Sequence, residues 1–175
     1  MKLEPTIPSA LNANIVSNEW DSKTGKGVIT FDAPLTTIGK NAFKRETNTT
    51  PSNWMTSISL PKSVTTIGAY AFSQCYSLTN ITIPDSVISV DEYAFQSCEA
   101  VTSVIIGASV QTIGSSAFYD CEILKEVTCK SAVPPEIADK WAFYGTDITK
   151  VIVPAASVDA YKAADYWNNY NIVSE

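Results

Sequence analysis

The 175-residue chain contains no histidine. That absence excludes Ser-His-Asp and Cys-His nucleophilic systems and removes the commonest zinc ligand. Basic charge is scarce: 12 Lys and Arg stand against 18 Asp and Glu, giving a net charge of −6, and there is no basic run. Nucleic acid is not an expected partner, because phosphate neutralisation supplies most of that affinity. No apolar stretch approaches the length of a membrane span, so no membrane insertion is expected. Met1 to Pro5 lack the apolar core of a secretory leader, which predicts no signal peptide within the chain. No phosphate-cradling glycine motif occurs. The four cysteines show no Cys-x-x-Cys spacing.

What the chain has instead is repetition. Ser63 to Phe72 returns as Ser86 to Phe95 and again as Ser109 to Phe118, a period of 23 residues. The pattern runs on through Cys75, Cys98 and Cys121, then Leu78, Val101 and Leu124, then Ile81, Val104 and Val127. A fixed period in this range marks a solenoid, in which each coil buries its apolar face only against its neighbours. The Ala-Phe pair recurs at Phe43, Phe72, Phe95, Phe118 and Phe143, with spacings of 29, 23, 23 and 25. The first gap holds six extra residues within the polar stretch 44–53, and the last holds two around Pro134 and Pro135. Six parallel strands are expected, near 27–31, 56–60, 79–83, 102–106, 125–129 and 149–153.

Within one coil, Leu78 to Ile83 alternates apolar and polar with the period of a half-buried strand. Ile81 and Ile83 face inward, Asn80 and Thr82 outward, and Pro84 ends the strand. Val87 and Val90 predict a second short extended piece. Gly39, Gly68, Asp91, Gly114 and Asp139 share the next position, where an N-cap or a positive φ would suit them. A short helical turn is expected to follow and to drive Ala94 and Phe95 into the core.

The pattern Leu-x-x-Ile-x-Ile-Pro-x-Ser-Val-x-x-Ile-Gly-x-x-Ala-Phe-x-x-Cys resembles the BspA-like leucine-rich repeat, over about residues 26–154. The tail Val153 to Ala164 and the start Ala13 to Phe31 are also similar to segments of such proteins. The resemblance implies a protein of the bacterial surface or exterior, or of some protozoa, often with a role in adhesion. It also implies an export signal outside this chain. It transfers no functional residues, because the motif is structural. The expected fold is a β-rich α/β solenoid forming one structural domain. Residues 1–25 would be an N-terminal segment and cap strand, 26–154 the leucine-rich repeat, and 155–175 the C-terminal cap. At the first end, residues 14–20 would pair antiparallel with 27–31 across a turn at 21–26. At the other, Ser157 would cap a helix from 158 to about 165, laying Tyr161 and Trp167 over the last coil.

Chemistry must be sought without histidine, so carboxylate pairs or a lysine base would have to serve. Asp91 and Glu92 are adjacent but lie in a repeat turn. Glu99 and Glu122 are one period apart and would hold a cation at most; solvated surface carboxylates account for both pairs. No catalytic residue, metal ligand or cofactor is expected, and the protein is read as a non-enzyme. Cys75, Cys98 and Cys121 form a ladder of small buried hydrophobes with free thiols. In-register side chains point in parallel, whereas a disulfide needs its β-carbons about 3.8 Å apart. Cys129 replaces an inward Ile.

Two surfaces remain. The sheet face should present Val28, Ser57, Asn80, Ser103, Glu126 and Lys150 in one column. Thr30, Ser59, Thr82, Ile105, Thr128 and Ile152 form the next. Of these, Ser57, Ser59, Asn80, Thr82, Ser103, Ile105, Glu126, Thr128, Lys150 and Ile152 are the candidate ligand-binding residues. The face is low in charge and rich in hydroxyls, and solenoids bind through such faces; a solvated sheet with β-favouring Thr and Ile is the competing account. The insert 44–53 is a displayed loop or a tolerated insertion. Asn48-Thr49-Thr50 and Asn80-Ile81-Thr82 match the N-glycosylation sequon, by coincidence in a bacterial protein. The functional expectation is a monomer that binds a protein or a glycan through the sheet face. The alternative is a structural spacer in a larger surface protein.

Overall fold

The computed structural model describes residues 11–21, 26–44 and 55–175. Strands β1 (Ile15–Asp21) and β2 (Lys26–Phe31) form an antiparallel hairpin at the N-terminal end. The chain then winds through two parallel sheets. The first holds β5 (Asn80–Thr82), β7 (Ser103–Ile106), β9 (Glu126–Cys129), β11 (Lys150–Val153) and β12 (Ile172–Ser174), adjacent in that order. The second holds β3 (Thr37–Ile38), β4 (Thr66–Ile67), β6 (Ser89–Val90), β8 (Thr112–Ile113) and β10 (Glu136–Ile137), also in order. One helix, α1 (Val158–Ala163), follows the last coil.

A third ladder of hydrogen bonds joins the coils at their turns. The amides of Tyr93, Phe95 and Ser97 donate to the carbonyls of Ser115, Ala117 and Tyr119 in the next coil, at 2.8–3.0 Å. The alternate amides of Ala94, Gln96 and Cys98 turn back to the carbonyls three residues earlier. The six amides from Tyr93 to Cys98 are thus satisfied, half locally and half between coils, as burial of backbone requires. The expected helical turn is therefore a run of tight turns. Tyr93 (φ 55°) and Ser97 (φ 54°) are left-handed, as are Tyr70, Gln74, Ser116 and Asp120 at equivalent positions, and an α-helix cannot pass through such residues.

The Gly and Asp residues that open these turns do not adopt positive φ. Gly114 is needed for close approach: a Cβ there would lie 2.5 Å from the Glu92 nitrogen and 2.6 Å from the Asp91 carbonyl carbon.

The core is a set of columns running along the stack. Phe43, Phe72, Phe95, Phe118 and Phe143 stack with centroids 5.0–5.3 Å apart and planes within 8°. That spacing is close to the strand separation of ~4.8 Å, which sets the rise from coil to coil. Trp167 closes the column, tilted 54° on Phe143. The inward residues Ile81, Ile83, Val104, Ile106, Val127, Cys129, Val151 and Val153 are all buried.

Two strand expectations are corrected and one strand is added. Residues 27–31 are the second strand of the hairpin and are not in either parallel sheet. Residues 55–60 form no strand, although the Thr56 carbonyl accepts from the Thr79 amide at 3.0 Å and Ile58 and Leu60 pack on the core. Because β2 is paired with β1, this segment gains no strand on its N-terminal side among the described residues. At the far edge, β12 adds a parallel strand, with Val151 opposite Ile172 and Ile152 opposite Val173.

Both ends are covered. At the start, Leu11 bridges Ile38, and the Asn12 side-chain oxygen accepts from the amides of Thr36 and Thr37 at 2.8 Å. At the finish, Tyr161 and Trp167 are buried; the Trp167 indole donates to the Pro135 carbonyl at 2.7 Å. Ser157 stands at the N-cap position but makes no cap hydrogen bond. Its hydroxyl donates to the Ala132 carbonyl at 2.9 Å and ties the cap to the last full coil.

Candidate functional site

Parallel pairing in the first sheet fixes the outward residues in rows. Asn80, Ser103, Glu126 and Lys150 are direct cross-strand partners, as are Thr82, Ile105, Thr128 and Ile152, and Val173 extends the second row. Asn80, Thr82 and Lys150 are exposed; Ser103, Ile105, Glu126, Thr128 and Ile152 are half-buried by their neighbours. Ser57 and Ser59 are exposed on the segment beside β5 but outside the ladder. Val28 and Thr30 lie in the hairpin, so they do not continue the columns.

The rows are internally paired. The Ser103 hydroxyl donates to the Asn80 side-chain oxygen at 2.8 Å, and Lys150 meets Glu126 at 2.6 Å. The ion pair cancels the charge in the row, leaving a neutral strip in which Ile105 and Ile152 alternate with Thr82 and Thr128. A groove of about 530 Å³ begins at the edge of this face, lined by Ser59, Thr82, Ser86, Lys62 and Lys130. Lys130 is ion-paired with Asp85 at 3.6 Å.

The thiols are buried and unpaired: Cys75, Cys98, Cys121 and Cys129 form no disulfide. Each repeat thiol donates to the carbonyl of the phenylalanine one coil back, Cys75 to Phe43, Cys98 to Phe72 and Cys121 to Phe95, at 3.2–3.5 Å. Burial pushes Cys75 up to about 12 and holds Cys98 well above the ordinary thiol range. Such groups are protonated and inert at neutral pH, unlike reactive cysteines. Cys129 is also raised by burial, and its sulfur lies 3.0 Å from the Tyr161 hydroxyl, which donates to the Ser131 carbonyl.

Among the described residues the carboxylates do not converge into a catalytic arrangement. Asp91 is raised by partial burial and by the charge of Glu92, opposed by a hydrogen bond from Ser89, in a shallow groove of about 450 Å³ that also holds Glu136. Glu99 and Glu122 are exposed. Among the described residues no group of three or more acidic or cysteine side chains is placed to hold a metal, and no helix is long and apolar enough to cross a membrane. Asn80 is exposed in its sequon, with its side chain already bonded to Thr79 and Ser103. The insert beyond Lys44, including Asn48, lies outside the described residues.

Sequence reasoning missed one surface: Trp141 and Tyr144, exposed side by side on the last turn. The available signal was a tryptophan at a position where the other coils carry Asn41, Tyr70, Tyr93 and Ser116.

Stacked coils, two parallel sheets and a phenylalanine column define a leucine-rich-repeat solenoid. The BspA type leucine-rich repeat region matches residues 36–172 in six copies, and the chain belongs to that family. A leucine-rich repeat protein of T. pallidum has the same fold, with a TM-score of 0.58 at 20% identity over 85% of this chain and 71% of its own. A leucine-rich repeat protein from Bacteroides ovatus is similar over 82% of this chain and 58% of its own, at 17% identity and a TM-score of 0.40. No curated protein matches the chain.

Proposed function

We propose that this chain is a non-enzymatic, exported recognition module that binds a protein or glycan across the outward face of its first sheet. Residues 1–25, 26–154 and 155–175 act as one structural unit and work as a monomer. The observation that carries this reading is the register of the two outward rows. Side chains from consecutive coils are direct neighbours, so they make one continuous strip without fresh folding. Its net charge is close to zero, which limits the desolvation cost of covering it. Ile105 and Ile152 supply apolar contact among hydroxyls, the composition that interface cores favour. Membership of a leucine-rich-repeat family agrees with binding, since repeat proteins of this kind are in general not enzymes.

The test is a screen of the chain against immobilised matrix proteins and a glycan array, with Ser103→Arg/Ile105→Arg in parallel. Both positions point outward, so the variant should melt like the parent while losing about tenfold or more in affinity for at least one partner found. Equal binding by parent and variant would remove the sheet face as the site. Absence of any partner would favour the structural spacer, for which three continuous hydrogen-bond ladders supply the stiffness.

A further inference from the structure

On the turn side, the last coil carries Trp141 where the others have Asn41, Tyr70, Tyr93 and Ser116, and Tyr144 follows Tyr119 of the preceding coil. Trp141 is 40% exposed and Tyr144 52% exposed. Their rings meet edge to face, with centroids 4.9 Å apart and planes at 61°, and Tyr119 stacks on Tyr144 at 5.4 Å. The backbone beneath them is fixed. The Trp141 amide donates to the Asp139 carboxylate at 2.9 Å, the Tyr144 amide to the Trp141 carbonyl at 3.1 Å, and the Asp120 amide to the Tyr144 carbonyl at 2.9 Å. Ala142 and Phe143, between the two rings in sequence, are buried, and Phe143 stacks on Phe118. Gly145, at φ 74°, leaves the space that a Cβ would need to the Asp120 carboxylate. The rings are therefore held before any ligand arrives, which lowers the ordering cost of binding. Leaving two large aromatics half in water forgoes burial that the fold would otherwise gain.

We propose that Trp141, Tyr144 and Tyr119 form a saccharide-binding platform, separate from the sheet face, that takes one face of a pyranose ring. A pyranose has an apolar C–H face and a rim of hydroxyls. The platform offers the complement: half-exposed rings edged by the tyrosine hydroxyls, the carboxylates of Asp120 and Asp139, and the Lys140 ammonium. Lys140 lies 4.8 Å from the Trp141 ring centre, so a donor already stands over that ring. The charge of Asp120 pushes the Tyr119 phenol above its ordinary value. A cationic ligand would have to displace Lys140 against like charge. A protein partner needs roughly 800 Å² of its own surface covered, far more than three rings provide, whereas one sugar ring matches one indole face.

The test uses the whole chain and soluble hexaoses of the gluco, xylo, manno and galacto series at millimolar concentration. Binding is read by saturation-transfer NMR and by titration calorimetry. At least one series should bind. Trp141→Ser and Tyr144→Gln, which install residues found at these positions in other coils (Ser116 and Gln96), should keep the melting temperature and weaken binding about tenfold or more. Trp141→Phe, which keeps a ring, should retain most of the affinity. Ser103→Arg/Ile105→Arg should bind like the parent, so failure of the platform and failure of the sheet-face reading remain distinguishable. No binding to any series, or binding unchanged in Trp141→Ser, or binding lost only in the sheet-face variant, would overturn the proposal.

Discussion

Phe95 is stacked from both sides, 5.2 Å from Phe72 and 5.3 Å from Phe118, and is 1% exposed. Removing the ring opens a cavity that rigid neighbouring coils cannot collapse. Phe95→Ala should therefore cost about 3–5 kcal/mol, and Thr82→Ala, on the outward row, well under 1 kcal/mol. Urea melts measure both; equal small effects would mean that inside and outside are wrongly assigned. The thiols give a pH signature. In the unfolded chain Cys75 titrates near ~8.5, whereas folding pushes it up to about 12 and raises Cys98 as well. The folded state thus keeps protons that the unfolded state releases. Stability is full below the unfolded value and falls as pH rises above it, by about 1.4 kcal/mol per pH unit for each such thiol. Urea melts of the parent and Cys75→Ala across that range should show the shallower alkaline decline in the variant; identical slopes would deny a raised thiol. Inward and outward residues were legible from the sequence, because alternation and the 23-residue period each constrain them. Trp141 and Tyr144 were not, because surface positions vary freely from coil to coil and no periodicity singles them out.

The elements are short, and each is defined by the coil beside it. A strand such as β6 spans two residues and exists only because β4 and β8 flank it. This explains what the sequence revealed of them. Strands β5, β7, β9 and β11 fall on their alternating motifs, while residues 56–60, with the same pattern, form no strand, although the Thr56 carbonyl accepts from the Thr79 amide. An N-cap-like Gly or Asp ahead of Ala94 and Phe95 predicts a helical turn, and the structure has tight turns instead. The left-handed residues Tyr93 and Ser97 carry no glycine to announce them. β12 escaped notice because Ile172 and Val173 stand alone among polar residues. On sequence grounds an N-cap or a positive φ would suit the turn-opening glycines, but Gly68 and Gly114 serve close contact. Gly114→Ala should cost about 1–3 kcal/mol, as overpacking does, because the added methyl meets backbone and not a flexible side chain. A melt unchanged from the parent would show that the coils can part there without loss.

At the scale of the whole molecule, each coil contacts only its neighbours, so stability should be a sum of coil and interface terms. The stack binds its coils through two sheets and the turn ladder, and closes its ends with the N-terminal hairpin and segment 11–14 on one side and α1, Trp167 and β12 on the other. Nothing in this design requires a deep pocket. What it produces is an ordered surface whose residues come from successive coils, and the proposed function rests on that surface. Methyl NMR of the labelled chain, titrated with a partner found in the binding screen, tests this most directly. The account predicts shifts concentrated on the methyls of Thr82, Ile105, Thr128 and Ile152, with the buried methyls of Val104 and Val127 little changed. Shifts confined to the turn side, or absent from the Thr82–Ile152 row while the partner is bound, would contradict it.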